Sequence, residues 1–412
     1  MPGSVIVREE RAGEVARPVP VRWVWLAAWP VTAVFVLSNA ATPLYVLWQR
    51  DIGFSRGTLT VIFAFYIVGL LGSLLVSGVA SDRFGRKRVL LPALGLALVA
   101  CAVFATASTV PALVVARLFT GVAVGAVVSA GMAAVTDVAG PARGRLAALL
   151  ASCAMVFGAG LGPLLAGVLS ETLPGPTVTV FAVEAVLLAL AVLAVARAPL
   201  ARPAPGTGAW VRLPRVPRGD GGLLIPGVAV FAPGITATSF VLSLGPSLLS
   251  GLLGTTSRVV AGALAFAMFL SATAVQFAVR ALSRRVILLA GAASTAAGTL
   301  ALIAAVRTSS VLALVACALL AGAGQGMGQL GGLSLLNSGV APRRLAEANA
   351  ALNVGGYLPA GLLPVSAGYL SDAVGLTTGA TVFGVALTAL AVAGGVAVLA
   401  GGAAGSRRVV LP

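Results

Sequence analysis

The chain has 412 residues, of which 59% are hydrophobic and 9% charged, with a formal net charge of +16 and no histidine. A soluble domain carries about 25% charged residues because its surface faces water, so most of this surface faces something else. The absence of histidine excludes imidazole metal sites and imidazole proton relays. Cys101, Cys153 and Cys317 each stand alone in an apolar stretch, which is neither a disulfide framework nor a zinc site; no metal and no cofactor are expected.

Twelve apolar stretches succeed one another, each close to the ~20 residues that cross a hydrocarbon layer: 24–46, 58–79, 87–107, 111–134, 146–168, 178–197, 223–246, 259–280, 286–306, 310–336, 346–369 and 376–400. Lipid offers no partner to an unpaired backbone group, so stretches of this length are helices. The expected fold is an all-α membrane protein of twelve transmembrane helices in two six-helix halves. Its parts are an N-terminal tail over 1–23, a bundle over 24–198, a linker rich in Pro, Gly and Arg over 199–222, a second bundle over 223–400 and a tail over 401–412. The first stretch is longer than a signal-peptide core and no small-residue cleavage site follows it, so it is expected to be retained.

The positive charge is sorted by side. Of the 27 Arg and Lys, only Arg50, Arg56, Arg258 and Arg307 fall in loops on the side away from the N-terminus, and Arg117 falls inside a span. The remainder lie on the side of the N-terminus, the pattern that retains a loop in the cytoplasm. This predicts a multi-pass protein of the cytoplasmic membrane with both termini cytoplasmic. The net charge therefore reports topology, and no nucleic-acid partner is expected.

In chain order, the first span offers Asn39 and Thr42, three apart and so on one helix face, and the second offers Tyr66. Between the second and third spans stands Gly78-Val79-Ala80-Ser81-Asp82-Arg83-Phe84-Gly85-Arg86-Lys87-Arg88. Gly78 removes a side chain where a neighbouring helix can approach, and Asp82 can accept from a helix N-terminus. The run closely resembles the loop signature of the major facilitator superfamily. The resemblance implies that the eleventh helix is the neighbour of Gly78 and the one capped by Asp82 when the cytoplasmic side closes. It also implies that Arg86 pairs with Asp137 at the inner end of the fourth helix, so that Gly78, Asp82, Arg83, Gly85, Arg86 and Asp137 form a gating latch. The plainer reading is that these acids offset arginines at the membrane surface. In the second half Asp82 becomes Arg280 and Asp137 becomes Ser338, so the latch is expected on one side only.

The fourth span carries Arg117 four residues before Gly121, and Gly125 a further four on. Small residues at that spacing make a flat helix face, and a charge inside a span is a functional candidate, although Arg117 could also snorkel to the interface. The arrangement resembles the fourth-helix signature of proton-linked members of the superfamily, which implies a part in proton transfer. The fifth span carries Gly158, Gly162, Pro163 and Gly167, a bend with close crossings. It resembles the fifth-helix signature of drug:proton antiporters, with Ala166 and Leu149 where that signature has glycine. Glu184, in the sixth span, is the carboxylate placed clearly inside a span; with Arg117 it makes the pair of proton-coupling candidates.

Later spans add Gln325 and Gln329, four apart in the tenth, and Asn349, Asn353 and Tyr357, at the same spacing in the eleventh. Asn39, Thr42, Tyr66, Gln325, Gln329, Asn353 and Tyr357 are the candidates for a substrate cavity; amides packed between helices are the alternative for any one of them. Phe35, Phe65, Phe240 and Phe266 accompany them, and neutral amides with aromatics suit an uncharged or modestly amphipathic molecule. Residues 160–170 and 361–371, GLGPLLAGVLS and GLLPVSAGYLS, agree at seven of eleven positions at an offset of 201, with Pro163 matched by Pro364 and Glu171 by Asp372. A repeat offset by six spans gives both halves the same orientation, as in parallel-repeat transporters.

The function expected is secondary active transport of a small organic molecule by alternating access, as proton-coupled efflux. A metabolite uptake symporter or facilitator on the same fold is the alternative, and a non-transporting membrane receptor is the reading from another class. With no histidine, no acid cluster and no extramembrane domain, the chain is not expected to be an enzyme. The expected partners are the lipid bilayer, the small-molecule substrate and protons, with the protein a monomer.

Overall fold

A computed structural model describes residues 20–200, 221–252, 254–341 and 344–406. Tail residues 1–19, linker residues 201–220 and residues 407–412 lie outside the described residues. Among the described residues the secondary structure is entirely helix and turn, as a chain that must satisfy its backbone inside lipid requires.

Twelve long helices form among the described residues. α1 runs Val21–Ala40 and continues through a 3-10 turn at Thr42–Leu44 into Tyr45–Ile52. It is followed by α2 (Arg56–Phe84), α3 (Arg86–Ala105) and α4, which is Val110–Ala126 joined through a π turn at Val127–Gly131 to Met132–Ala139. Next come α5 (Gly144–Thr172), α6 (Pro176–Arg197), α7 (Gly221–Leu252) and α8 (Arg258–Val279). The last are α9 (Arg284–Thr308), α10 (Val311–Gly339), α11 (Leu345–Val374) and α12 (Leu376–Ser406). Eleven stretches among the described residues are apolar and long enough to cross a membrane, and α11, with its amide stripe, is the remaining long helix. α12 continues to Ser406, past the boundary expected at residue 400.

The turns are short and capped. Side chains of Ser55, Thr109, Ser257, Ser283 and Ser310 accept from the first turns of α2, α4, α8, α9 and α10, taking up donors that helix starts leave free. Gly85, between α2 and α3, has φ 95° and ψ 154°, a conformation essentially confined to glycine. That is the physical reason a glycine stands there in the loop signature. The turns after even-numbered helices lie at one end, here called the basic end for Arg86, Lys87, Arg88, Arg145, Arg280 and Arg284; those after odd-numbered helices lie at the far end.

Two large apolar cores form, one within α1–α6 and one mainly within α7–α12. The halves repeat each other in packing as well as in sequence. A Cβ on Gly121 or Gly125 would strike the α2 backbone, and one on Gly322 or Gly326, 201 residues later, would strike the α8 backbone. Arg117, one turn ahead of Gly121, has Ala318 as its counterpart, so the charge stands in one half only.

Candidate functional site

The halves meet along two seams, α5 against α8 and α11 against α2, and these carry the segment that repeats in the sequence. Near the far end the backbones touch. A side chain on Gly167 would overlap the Arg258 carbonyl, and one on Gly368 would overlap Thr60 and the Arg56 carbonyl. Each seam ends in a carboxylate. Asp372, near the end of α11, accepts from the backbone N–H of Arg56 at 3.1 Å and of Gly57 at 2.8 Å, the first residues of α2. Glu171, near the end of α5, accepts from the backbone N–H of Arg258 and, at 3.3 Å, of Val259, the first residues of α8. The Arg258 guanidinium donates to the Ser170 carbonyl at 2.7 Å. Carboxylates are favoured at helix N-termini by free N–H donors and by the helix dipole, so these are two matched clasps between the halves.

Toward the basic end the same seams part. A cavity of about 300 Å³ separates Leu71 and Gly78 of α2 from Asn349 and Asn353 of α11. Another of about 570 Å³ lies between Arg145 and Ser152 of α5 and Phe277 and Arg280 of α8. The expected latch residues gather here. Arg86 donates from Nη1 to Asp82 at 2.6 Å and to Ser81 at 2.8 Å, and from Nε to Asp137 at 3.0 Å, joining α2, α3 and α4. Arg83 occupies the last turn of α2. In the second half Arg284 donates to Ser338 Oγ at 2.8 Å, the same geometry without the acid.

Between the seams lies a cavity of about 120 Å³ lined from both halves. Of the residues expected there, Asn39, Tyr66, Gln325, Gln329 and Tyr357 line it. Thr42 does not: the 3-10 turn in α1 carries it into a narrow pocket against α7 and α8. Asn353 lies one turn toward the basic end, on the wall of the 300 Å³ cavity. Of the expected aromatics Phe35 lines it and Phe65, Phe240 and Phe266 do not, the other aromatic faces coming from Phe63 and Phe269. Among the described residues no charged side chain lines the cavity, and the buried Gln325 Oε1 has no hydrogen-bond partner. Sequence reasoning missed Thr238 and Ser239 of α7 and Thr273 and Gln276 of α8. Hydroxyls in helices bond their own backbone, as Thr238 does to the Ile235 carbonyl at 2.9 Å, so they pass in an apolar stretch. The run Thr236 to Ser239 was the available signal.

Arg117 is fully buried rather than snorkelling. Its Nε donates to the Tyr45 hydroxyl and its Nη1 to the Ser38 carbonyl at 2.6 Å, beside the break in α1, while Nη2 has no partner among the described residues. Its guanidinium carbon lies 5.2 Å from the centre of the Tyr45 ring, 5.3 Å from that of Phe63 and 5.9 Å from that of Tyr66. Cation–π contact offsets part of its desolvation. Phe63 and Tyr66 also line the cavity, so Arg117 stands one ring behind its wall.

Asn39 has a structural duty as well. Pro163 has no N–H, which frees the Ala159 carbonyl four residues earlier, and Asn39 Nδ2 donates to that carbonyl at 3.4 Å. α1 can approach because Gly158 and Gly162 face Phe35 and Val36 without side chains. Pro364 holds the corresponding place in α11. Glu184 is 2% exposed with Oε2 unpartnered, on a helix packed against α3 and α1, and it does not line the central cavity.

Three comparisons bear on the fold and the family. The sequence profile described as Major Facilitator Superfamily matches residues 24–286. The 3-(3-hydroxy-phenyl)propionate transporter of Escherichia coli (strain K12) is 39% identical over 104 residues, 25% of this chain; the chain aligns with only 26% of that relative's length. Among solved structures, a bacterial homologue of the human lysosomal transporter Spinster superposes with a TM-score of 0.72 at 13% identity, covering 94% of this chain and 97% of that one. A D-xylose-proton symporter superposes with a TM-score of 0.68 at 16% identity, covering 90% and 97%.

Proposed function

This chain belongs to the Major Facilitator Superfamily, and we propose that it is a secondary transporter that exports a small organic molecule from the cytoplasm by alternating access, coupled to protons. The observation that carries the reading is the neutral cavity between the halves, closed at the far end by two carboxylate clasps and flanked at the basic end by two parted seams. A pair of bundles that touch at one end and part at the other can rock about a central site. The cargo is uncharged or modestly amphipathic and presents a flat apolar face. Phe35, Phe63 and Phe269 would stack on that face, while the unpaired Gln325 carbonyl would take a donor from it. Arg117 keeps its proton at any working pH, so its part in coupling is electrostatic: its desolvated charge, with one nitrogen lacking a partner, is kept at a cost. The proton itself is carried by a carboxylate, for which buried Glu184 is the candidate inside a span. Export is the direction that the bend at Pro163 suggests by its resemblance to antiporters. The basic end would face the cytoplasm, and the protein works as a monomer.

One observation favours a second reading, uptake of an aromatic acid. The partly aligned relative is named a hydroxyphenylpropionate transporter, and Arg117 holds an unpartnered N–H one ring behind the cavity. Transport in sealed vesicles of both orientations, with an imposed pH gradient and matched aromatic acids and amides, separates the two. Accumulation of amides in everted vesicles on acidifying the lumen supports export. Accumulation of the acids alone in right-side-out vesicles supports uptake, and no gradient-dependent movement of either overturns both.

A further inference from the structure

The 570 Å³ crevice at the basic end of the α5–α8 seam belongs neither to the cavity nor to the latch. Its walls are apolar, with Leu149 47% and Phe277 46% exposed, and its mouth holds two arginines, Arg145 from one half and Arg280 from the other. Both arginines are exposed, and neither has a carboxylate partner among the described residues. The described acids at this end do not pair with them: Asp82 and Asp137 are bonded to Arg86, and Glu347 begins α11. Arg145 also stands in the first turn of α5, where a cation meets the unfavourable end of the helix dipole. The sister crevice on the α2–α11 seam has no arginine on its walls among the described residues.

We propose that this crevice is a binding site for an anionic phospholipid. The headgroup phosphate bridges Arg145 and Arg280, and an acyl chain lies along Leu149 and Phe277. Guanidinium groups pair readily with phosphate oxygens. A site at the end of two membrane-length helices, with charge at its mouth and apolar walls below, has the polarity profile of one bilayer leaflet. Two like charges facing each other across the seam resist its closing unless an anion lies between them. Because the lipid needs the volume of the parted seam, it binds this arrangement in preference to one in which α5 and α8 meet along their full length, and so holds the basic end open. The inference does not depend on the cargo or on the direction of transport.

The test uses the full chain in nanodiscs of phosphatidylcholine doped with spin-labelled phosphatidylglycerol, comparing the unsubstituted protein with Arg145→Gln/Arg280→Gln. Each arginine near an anionic surface contributes about a fivefold factor in binding, so the double variant should bind the labelled lipid about 25-fold more weakly. Spin-label distances between the basic ends of α5 and α8 should be longer with phosphatidylglycerol than in phosphatidylcholine alone, and this difference should vanish in the variant. Arg145→Lys/Arg280→Lys, which keeps the charge, should retain part of the binding and shows that loss is not misfolding. Equal lipid retention by the glutamine variant overturns the proposal. So does displacement of the lipid by millimolar inorganic phosphate with the same effect on the distance, which would make the site one for free phosphate.

Discussion

Arg117 is where burial and charge conflict most sharply. A guanidinium with no exposure keeps two nitrogens engaged and leaves the third without a partner among the described residues, and its fork is what reaches both Tyr45 and the Ser38 carbonyl. Lysine keeps the charge but lacks the planar fork. Arg117→Lys is therefore expected to insert and fold yet to lose gradient-driven transport in proteoliposomes; full coupled transport in the variant would show that the fork is dispensable. Asn39 is tied to Pro163 through the Ala159 carbonyl. Asn39→Ala strands that carbonyl at a cost of about 1–3 kcal/mol. In a Pro163→Ala background the restored N–H can take it up, so the loss should shrink. Thermal unfolding of the four proteins of that cycle in one detergent measures the coupling. Glu184 sits away from the cavity, in the α6 interface. Glu184→Gln separates its two roles: loss of pH-dependent transport with downhill exchange intact assigns it the proton, and unchanged concentrative transport makes it a packing residue.

At the scale of elements, the far end is held by α5 on α8 and α11 on α2. The apolar contacts along these seams carry most of the adhesion, since glycines let the backbones touch. The clasps at Glu171 and Asp372 are exposed, so each contributes only about 0.3–1 kcal/mol. Glu171→Gln or Asp372→Asn should therefore shift the population toward a parted far end by about two- to fivefold, and the double substitution by about the product. Spin-label distances between the α1–α2 and α7–α8 turns report that shift. Identical distance distributions in all three variants would show that the clasps do not govern closure.

For the whole molecule, the sorting of arginines along the chain predicts that the basic end faces the cytoplasm. Single cysteines introduced into the α2–α3 and α8–α9 turns, in a background free of the native cysteines, should be shielded from impermeant thiol reagents in right-side-out vesicles and labelled in everted ones. Those in the α1–α2 and α7–α8 turns should behave oppositely. The reverse pattern would invert the topology and, with it, the direction argued for the cargo.

Span count and the two-half plan were legible in sequence because lipid makes apolar length and backbone satisfaction nearly sufficient conditions. Helix ends were not, since α1, α2, α7 and α12 each run five or six residues past their apolar stretch. The repeat at residues 160–170 and 361–371 was legible too, and Gly160, Gly167 and Gly368, with the acids Glu171 and Asp372 that follow it, prove to lie on the seams between the halves. Sequence alone could not say that Glu171 and Asp372 face helix N-termini, because a carboxylate at a span end looks the same whether it meets water or a partner 87 or more residues away. Nor could it place Thr42 and Asn353 outside the central cavity. One 3-10 turn in α1 rotated the first, and one turn of height separated the second from Tyr357. The hydroxyls of α7 stayed hidden because a helix can satisfy them on its own backbone, as it does for Thr236, Thr238 and Ser243, and Arg117 could be assigned to the interior only once Tyr45, Phe63 and Tyr66 were seen around it. Periodicity and composition are properties of one helix at a time. Which face meets which neighbour is set by crossing geometry, and that exists only when all twelve helices pack.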